Sequence, residues 1–288
     1  MDLKTPKMLF HKIKSYAKIN LSLAVVGKTK SLHKIESIIA FIALHDEILI
    51  KKISSDKHQI LFKGKFSTGI KTQNTVSKLL KILEQKKILR NQKFKIIINK
   101  KIPNKAGLGG GSMNAANILK YFIKKKIITL NKEEIFKICK SIGSDVVLGL
   151  NFKHSILTQK NQIKKFKNIK KFYILIVKPN FGCSTGEIYS KVRKFTKPKL
   201  NRPSKKMFSE NFLKKNFNFL EPIVISKYKI LKTIKLYLEN LSNPSFVRMT
   251  GSGSAFVAYY RSKEKSEKAK KKFMQKYKNF WCMTSKTI

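Results

Sequence analysis

The sequence predicts a protein of mixed β-strands and α-helices, arranged in two domains. Three observations favour this: a period-two alternation over residues 16–26, apolar residues at helical spacing over residues 74–89, and a strand, a glycine cluster and a helix in succession over residues 94–124. A length of 288 residues suits one large domain or two smaller ones. Since the pattern restarts after about residue 155, we predict domains of residues 1–155 and 156–288.

The first elements are two strands and a helix. Residues 16–26, YAKINLSLAVV, alternate apolar and polar side chains, which is the pattern of a half-buried strand. Lys18 and Asn20 are therefore expected on one face of that strand. A second strand is predicted over residues 38–51. The helix that follows begins after Asn74, a residue type that caps helix N-termini.

The later elements are predicted from the same periodicities. In chain order they are a strand at residues 94–98, the glycine cluster with a helix to about residue 124, a helix at 132–140, a turn carrying Asp145, a strand at 172–177, a turn at 182–186 and an exposed basic loop at 194–206.

Lysine dominates the composition. Sixty-four Lys and Arg against 15 Asp and Glu give a formal net charge of +49, a balance typical of proteins that bind nucleic acid or anionic membranes. Only five of these cations are arginines, and the lysines are spread along the chain with abundant isoleucine and asparagine. Codon bias in an AT-rich genome explains that pattern equally well. In either case the charge should raise encounter rates with polyphosphate ligands.

Several classes of protein are not favoured. Cys139, Cys183 and Cys282 are widely spaced and odd in number, so neither a zinc site nor a disulfide framework is predicted. Lysines interrupt the apolar runs near the N-terminus, which argues against a signal peptide. No run approaches the ~20 apolar residues that span a bilayer. We expect a cytoplasmic protein with no membrane partner.

The glycine cluster carries the clearest chemical signal. It consists of Gly107, Gly109, Gly110 and Gly111, followed by Ser112. Glycines before a helix let the backbone approach a ligand, and their N–H groups together with the helix dipole favour phosphate. The loop lacks the G-K-[ST] ending of a Walker A motif and departs from G-x-G-x-x-G at its last position. We predict that it binds a nucleoside triphosphate and is not a linker.

Four motifs carry a family resemblance. Residues 102–116, IPNKAGLGGGSMNAA, resemble the phosphate-binding motif of the GHMP kinases. Three further segments are similar, in order, to one branch of that superfamily: SYAKINLSL at 15–23, IGSDVVLGL at 142–150 and MTGSGSAFVAYY at 249–260. The resemblance implies an α+β fold with an N-terminal βαβ domain and a C-terminal ferredoxin-like domain, with ATP and substrate meeting in the cleft between them.

The resemblance also implies an activity. The branch transfers the γ-phosphoryl group of ATP, with Mg²⁺, to the 2-hydroxyl of 4-diphosphocytidyl-2-C-methyl-D-erythritol in non-mevalonate isoprenoid synthesis. Asp145 corresponds to the catalytic aspartate, which accepts or orients the hydroxyl proton, and Lys18 to its cationic partner. Phosphoryl transfer needs mainly positioning and charge stabilisation, so this pair is chemically sufficient. Ser112 corresponds to a hydroxyl that can reach Mg²⁺, but no protein-built metal site is implied.

The binding residues are assigned in the same way. ATP would contact Pro103, Ala106, Gly107, Leu108, Gly109, Gly110, Gly111 and Ser112, with Asn74 near the adenine. The substrate would contact Asn20, His33, Thr185, Tyr189, Gly251, Ser252 and Gly253. Among these, His33 resembles the histidine that recognises the cytosine edge, and Tyr189 an aromatic ring that stacks on the base. Leu32 stands where the family usually has tyrosine.

Three alternatives stay open. Another GHMP kinase, acting on homoserine or a mevalonate-type alcohol, would share the loop but not the pair His33 and Tyr189. An RNA-binding protein is suggested by residues 252–259, which match the RNP1 pattern at six of eight positions, but serines replace the groups that RNA would contact. A ligand-binding pseudokinase is disfavoured because both Lys18 and Asp145 are present. No nucleic-acid partner is expected.

Overall fold

The protein folds into two compact units. A computed structural model describes residues 9–29 and 32–288. Unit 1 contains the described chain up to Ala17, Leu44–Pro103 and Gly109–Phe152, and unit 2 contains Lys18–Ala43, Asn104–Leu108 and Lys153–Ile288. Both units mix strands and helices, as predicted. The boundary near residue 155 stays a prediction, because the two units group residues by packing and not by independent folding.

Unit 1 is built on a βαβ element. The paired strands β1 (His11–Lys28) and β2 (His33–Ile53) contribute residues to both units. In unit 1, β2 runs antiparallel to β4 (Lys93–Asn99), with Ile50 opposite Ile96, and β4 runs parallel to β3 (Gln59–Lys63). Helix α1 (Thr75–Gln85) connects β3 to β4, as a parallel pair requires.

The first three helices of unit 1 begin where the sequence predicts, whereas the fourth was predicted only as part of a turn. After α1 come α2 (Gly110–Lys124), α3 (Lys132–Ile142) and α4 (Val146–Gly149). Asn74 caps α1, since its Oδ1 accepts the N–H groups of Val76 and Ser77. Asn131 caps α3 in the same way. Helix α1 is shorter than predicted because the chain turns at Lys87, whose φ is 54°, although Leu89 beyond the turn still packs into the same core.

Unit 2 contains a second, antiparallel sheet in the order β10-β7-β9-β8. Its elements are β5 (His154–Leu157), β6 (Ile163–Phe166), β7 (Tyr173–Lys178), α5 (Thr185–Ser190), a 3₁₀ turn (Lys205–Phe208), α6 (Glu210–Lys214), α7 (Glu221–Lys227), α8 (Lys229–Glu239), β8 (Phe246–Met249), β9 (Phe256–Tyr260), α9 (Lys263–Lys276) and β10 (Trp281–Lys286). Strands β7 to β10 with α8 and α9 form the β-α-β-β-α-β succession of a ferredoxin-like fold. Strand β5 pairs with β2, and β6 with β5.

The segment that resembles an RNA-binding motif lies in the core of unit 2. Strand β9 is buried along its length, and Phe256, Tyr259 and Tyr260 are fully inaccessible to solvent. Stacking on RNA bases requires exposed aromatic rings. These rings therefore pack the interior and do not form an RNA-binding surface.

Two further properties concern the cysteines and the length of the helices. The cysteines are free thiols, and burial raises the pKa of Cys139 and of Cys183 to about 11. Neither thiol is therefore poised as a nucleophile at neutral pH. In the described part of the chain no helix has both the length and the apolar character to cross a membrane.

Candidate active site

The second half of the glycine loop opens helix α2 in unit 1. Gly109 precedes the helix with a φ of 71°, a left-handed conformation that favours glycine. The first N–H groups of any helix have no acceptor within the helix, and they lie at the positive end of its dipole. Space beside Gly110 is tight, since a methyl group there would lie 3.2 Å from Lys100 Nζ. The N–H groups and the dipole at this helix start suit a phosphate.

A buried carboxylate anchors the entrance to this loop. Asp46 is fully inaccessible and accepts the backbone N–H groups of Lys101 and Ile102, each at 2.8 Å. Its other oxygen accepts Asn114 Nδ2 at 2.9 Å and forms an ion pair with Lys100. Four donors thereby satisfy the buried charge, which is the condition for keeping a carboxylate in a core. Asp46 fixes the end of β4 against the first turns of α2.

Helix α1 also contacts the loop. Thr75 Oγ1 donates a 2.7 Å hydrogen bond to the Gly111 carbonyl. Asn74 Nδ2 donates to the carbonyls of Lys71 and Thr72, while Oδ1 caps the helix. Asn74 thus shapes the segment before α1. Its predicted place near the adenine stays a prediction.

Asp145 stands in the turn just before α4, and that short helix packs on α2. A methyl group added to Gly149 would lie 2.7 Å from Ala116 Cβ, so the two helices are in close contact. A methyl group on Gly143, two residues before Asp145, would lie 3.9 Å from Ser112 Oγ. The turn is therefore beside the first turn of α2. Asp145, which is half-buried, therefore stands in a turn close to the first turn of α2.

In unit 2 the predicted lysine and asparagine are joined directly. Lys18 Nζ donates to Asn20 Oδ1 at 2.8 Å, which confirms that the two side chains share a face of β1. Both residues are 4% exposed, so this face is buried and not half-exposed as the alternation suggested. Burial is tolerated because the amide is fully engaged: Nδ2 donates to Ser37 Oγ, and Oδ1 also accepts the N–H of Gly251 at 3.0 Å.

Two glycines permit the loop and the C-terminal turn to touch within unit 2. A methyl group on Gly107 would lie 2.0 Å from the Thr250 carbonyl oxygen, and one on Gly251 would lie 2.9 Å from Gly107 Cα. Both glycines have positive φ, at 74° and 55°. Thr250 Oγ1 donates to the Gly107 carbonyl, and Lys18 N–H to that of Leu108 at 3.0 Å. The loop backbone at residues 107 and 108 is therefore bonded both to Thr250 and to Lys18.

Helix α5 presents two predicted residues one turn apart. Thr185 and Tyr189 are four residues apart and so lie on the same helix face. The Thr185 and Ser252 hydroxyl oxygens are 2.9 Å apart. The Tyr189 ring centroid lies 5.2 Å from that of His33 at an interplanar angle of 41°. This helix therefore connects the 251–253 turn to an aromatic group.

His33 favours the neutral imidazole. Partial burial of the ring lowers its pKa from the ordinary value of 6.5, and the ammonium group of Lys28 lowers it further. A neutral imidazole offers one hydrogen-bond donor and one acceptor, which matches the mixed donor and acceptor edge of a pyrimidine. At neutral pH the His33 imidazole can therefore form this pair of hydrogen bonds without first losing a proton.

The His33 pKa leads to a pH prediction. If the neutral ring binds the substrate, KM for a cytidyl substrate should stay constant from about pH 8 to about pH 6.5 and rise only below that, as the ring gains a proton. Steady-state kinetics across this range check it. His33→Gln keeps a donor and an acceptor without titrating, so its KM should lose the rise on the acid side. A rise centred above pH 6.5 in the wild type contradicts the assignment.

Asn20 leads to a second prediction. Asn20→Ala removes a buried acceptor shared by Lys18 Nζ and the Gly251 N–H. We expect the free energy of unfolding to fall by roughly 2–4 kcal/mol, with a matching loss in kcat. Asn20→Asp keeps the acceptor oxygen and should lose less. Chemical denaturation measures both, with Asn240→Ala at an exposed helix end as the control. Equal losses for Ala and Asp would contradict this account.

The predicted residues therefore form groups within each unit. Unit 1 holds Asn74, Pro103, Gly109, Gly110, Gly111, Ser112 and Asp145, and unit 2 holds Lys18, Asn20, His33, Ala106, Gly107, Leu108, Thr185, Tyr189, Gly251, Ser252 and Gly253.

Four supporting residues were not predicted from the sequence: Asp46, Lys100, Thr75 and Asn218. Asn218 supports the C-terminal turn, since its Nδ2 donates to the carbonyls of Met249 and Gly251. An aspartate inside the apolar run of β2 was the one available signal for Asp46.

Comparison with known proteins gives the class and the family. The GHMP kinases N terminal domain matches residues 74–152. A solved 4-(cytidine 5'-diphospho)-2C-methyl-D-erythritol kinase has a TM-score of 0.75 and 22% identity, with 96% of this chain and 99% of that chain covered. The L. major mevalonate kinase solved with R-mevalonate has a TM-score of 0.70 and 14% identity, with 98% of each chain covered.

These likenesses define the fold as that of the GHMP kinases, as the sequence predicted. A curated 4-diphosphocytidyl-2-C-methyl-D-erythritol kinase of Pelagibacter ubique (strain HTCC1062) is 54% identical over 277 residues, which cover 96% of this chain and 99% of the relative. The chain belongs to the 4-diphosphocytidyl-2-C-methyl-D-erythritol kinase family.

Proposed function

We propose that this protein is the ATP-dependent kinase that phosphorylates the 2-hydroxyl of 4-diphosphocytidyl-2-C-methyl-D-erythritol in non-mevalonate isoprenoid synthesis. The observation that carries the proposal is the 54% identity, over nearly the full length of both chains, to a curated kinase named for that substrate. The glycine loop, Lys18 and Asp145 supply the groups that such a reaction needs.

ATP is bound through its phosphates at the start of α2. The N–H groups of residues 109–112 and the helix dipole attract the phosphate oxygens. Asp46 and Thr75 support this cradle by holding the backbone at residues 101, 102 and 111. Because the cradle is made of backbone, its shape depends on these anchors more than on any one contact with ATP.

Asp145 acts on the acceptor hydroxyl. As the hydroxyl oxygen bonds to the γ-phosphorus, its proton passes to the carboxylate, the bond from the γ-phosphorus to the bridging oxygen breaks, and ADP leaves with that oxygen. Lys18 stabilises the negative charge on the transferring group. Its bond to Asn20 holds the ammonium in one orientation, so little ordering remains for the transition state.

Mg²⁺ is proposed to arrive with the nucleotide. Among the described residues, no three His, Cys, Asp or Glu side chains gather into a metal site. Mg²⁺ commonly keeps several waters and binds through substrate phosphates with one or two protein oxygens, and the Ser112 hydroxyl is the candidate here. When bound, the ion would neutralise phosphate charge.

The substrate class is argued from the aromatic group in unit 2. The fold is shared with a mevalonate kinase, so fold alone does not choose among alcohols. A small aliphatic substrate has no use for an imidazole held neutral beside a tyrosine ring, whereas a cytosine base does. Thr185 lies one helical turn before Tyr189, and its hydroxyl oxygen is 2.9 Å from that of Ser252. These two hydroxyl groups are then available to the diphosphate.

ADP release with ATP-Mg²⁺ tests the proposal. The cytidyl substrate, homoserine and mevalonate are compared at equal concentrations in a coupled assay. We expect turnover with the cytidyl substrate alone. Turnover only with homoserine or mevalonate would keep the fold and contradict the role of His33 and Tyr189.

A further inference from the structure

A second exposed ring lies beside His33. Phe195 is 48% exposed, and its ring centroid is 6.4 Å from that of His33 at an interplanar angle of 53°. Tyr189 on α5 also contacts this imidazole, so two aromatic rings lie beside it. Such separations are those of rings in direct contact, and the exposed part of Phe195 is open to a further planar ring.

The position of Phe195 is held by the segment that carries it. The Thr196 N–H donates to the Val25 carbonyl at 2.9 Å. Glu36, which is 1% exposed, accepts the N–H groups of Lys199 and Leu200 at 2.8 Å and 3.0 Å. Three hydrogen bonds just after the ring thus tie this irregular segment to β1 and β2. The ring is therefore presented at a fixed place on the surface.

The residue before His33 does not supply a ring. Leu32 is 66% exposed and aliphatic, so it can cover a base but not stack on one through a π-face. An exposed phenylalanine, by contrast, gains when a flat aromatic ligand covers it, since apolar area leaves water and stacking is added. Phe195 thus has the chemistry that Leu32 lacks.

We propose that Phe195 is a specificity-determining residue that stacks on the pyrimidine ring of the substrate, as a second aromatic wall beside Tyr189. This inference rests on the proposed function for its substrate, but it assigns a role to a residue that lies outside all four family motifs. Its consequence is that base recognition depends on the 194–200 segment, and hence on Glu36, which anchors it.

Kinetics of three variants test the proposal. Phe195→Leu keeps an apolar side chain but removes the π-face, so KM for the cytidyl substrate should rise about 10-fold or more, with kcat and KM for ATP unchanged. Phe195→Tyr should restore the wild-type KM. Phe217→Leu, at another exposed phenylalanine of unit 2, is the matched control and should leave KM unchanged.

Two kinetic outcomes overturn the proposal, and a binding experiment adds two more. An unchanged KM for the cytidyl substrate in Phe195→Leu would exclude stacking, and equal rises in both KM values would indicate a structural role. Calorimetric binding of cytidine diphosphate separates this inference from the proposed function. If the wild type shows no turnover but binds the nucleotide about 10-fold more tightly than Phe195→Leu, the function fails and the inference stands. If the two proteins bind it equally, or neither binds it, the inference fails.

Discussion

Asp145→Asn should lower kcat by about 10²–10⁴-fold while changing the KM values for ATP and the cytidyl substrate only a few-fold. Asparagine has nearly the same shape but cannot accept the hydroxyl proton, so the loss falls on the chemical step. The turn should survive, because α4 is held on α2 by the close contact of Gly149 with Ala116. Steady-state kinetics give kcat, and thermal unfolding shows that the variant folds.

The control for this variant is a second aspartate of unit 1. Asp56 lies exposed in the turn after β2, so Asp56→Asn removes the same charge from the same unit without touching the helix α2 region. We expect its kcat to equal that of the wild type. A kcat for Asp145→Asn within about 3-fold of the Asp56→Asn value would mean that Asp145 is not the base, since a general base contributes at least ~10²-fold.

Gly107→Ala should lower the free energy of unfolding by roughly 3 kcal/mol or more. The added methyl group would stand 2.0 Å from the Thr250 carbonyl oxygen and 2.7 Å from its carbon, and both atoms are backbone. The loop or the turn must therefore move, and the hydrogen bond from Thr250 Oγ1 to the Gly107 carbonyl is stretched or lost. Because the loop is proposed to bind the phosphates of ATP, KM for ATP should rise as well. Denaturant unfolding and ATP saturation measure the two effects.

Gly69→Ala isolates the contribution of the close approach. Gly69 has a φ of 75°, nearly that of Gly107, but among the described residues nothing lies within 4 Å of the added methyl group. This variant should therefore cost only the backbone strain of a positive φ, about 1 kcal/mol. If the two variants lose equal free energy of unfolding, the contact of Gly107 with the 250–251 backbone does not cause the loss. The backbone strain of a positive φ would then be the whole reason for glycine at position 107.

Sequence patterns predicted those parts of the fold where local signals are strong. The alternation of residues 16–26 gave β1, and Asn74 marked the start of α1. Helix α9 was not predicted, because its sequence KEKSEKAKKKFMQK buries only Ser266, Ala269 and Phe273 among many lysines. A uniform excess of lysine hides the apolar spacing from which a helix is inferred.

The site was predictable where a motif is contiguous and not where distant residues cooperate. The glycine loop and the pair Lys18 and Asn20 each lie within a few positions of one another. Asp46 instead gathers donors from residues 100 to 102 and from Asn114, a connection that only the folded chain makes. Phe195 lies in a segment predicted only as an exposed basic loop, and its importance follows from hydrogen bonds to β1 and β2.

The most direct test of the central claim is the identity of the product. The wild-type protein is incubated with ATP-Mg²⁺ and 4-diphosphocytidyl-2-C-methyl-D-erythritol, and ³¹P NMR follows the phosphorus atoms. We predict one new phosphomonoester signal that grows in equal amount with ADP and shows no three-bond coupling to a proton, because C2 of the substrate carries a methyl group in place of hydrogen. Formation of ADP without a phosphorylated cytidyl product, or with phosphate on another oxygen, would contradict the proposed function.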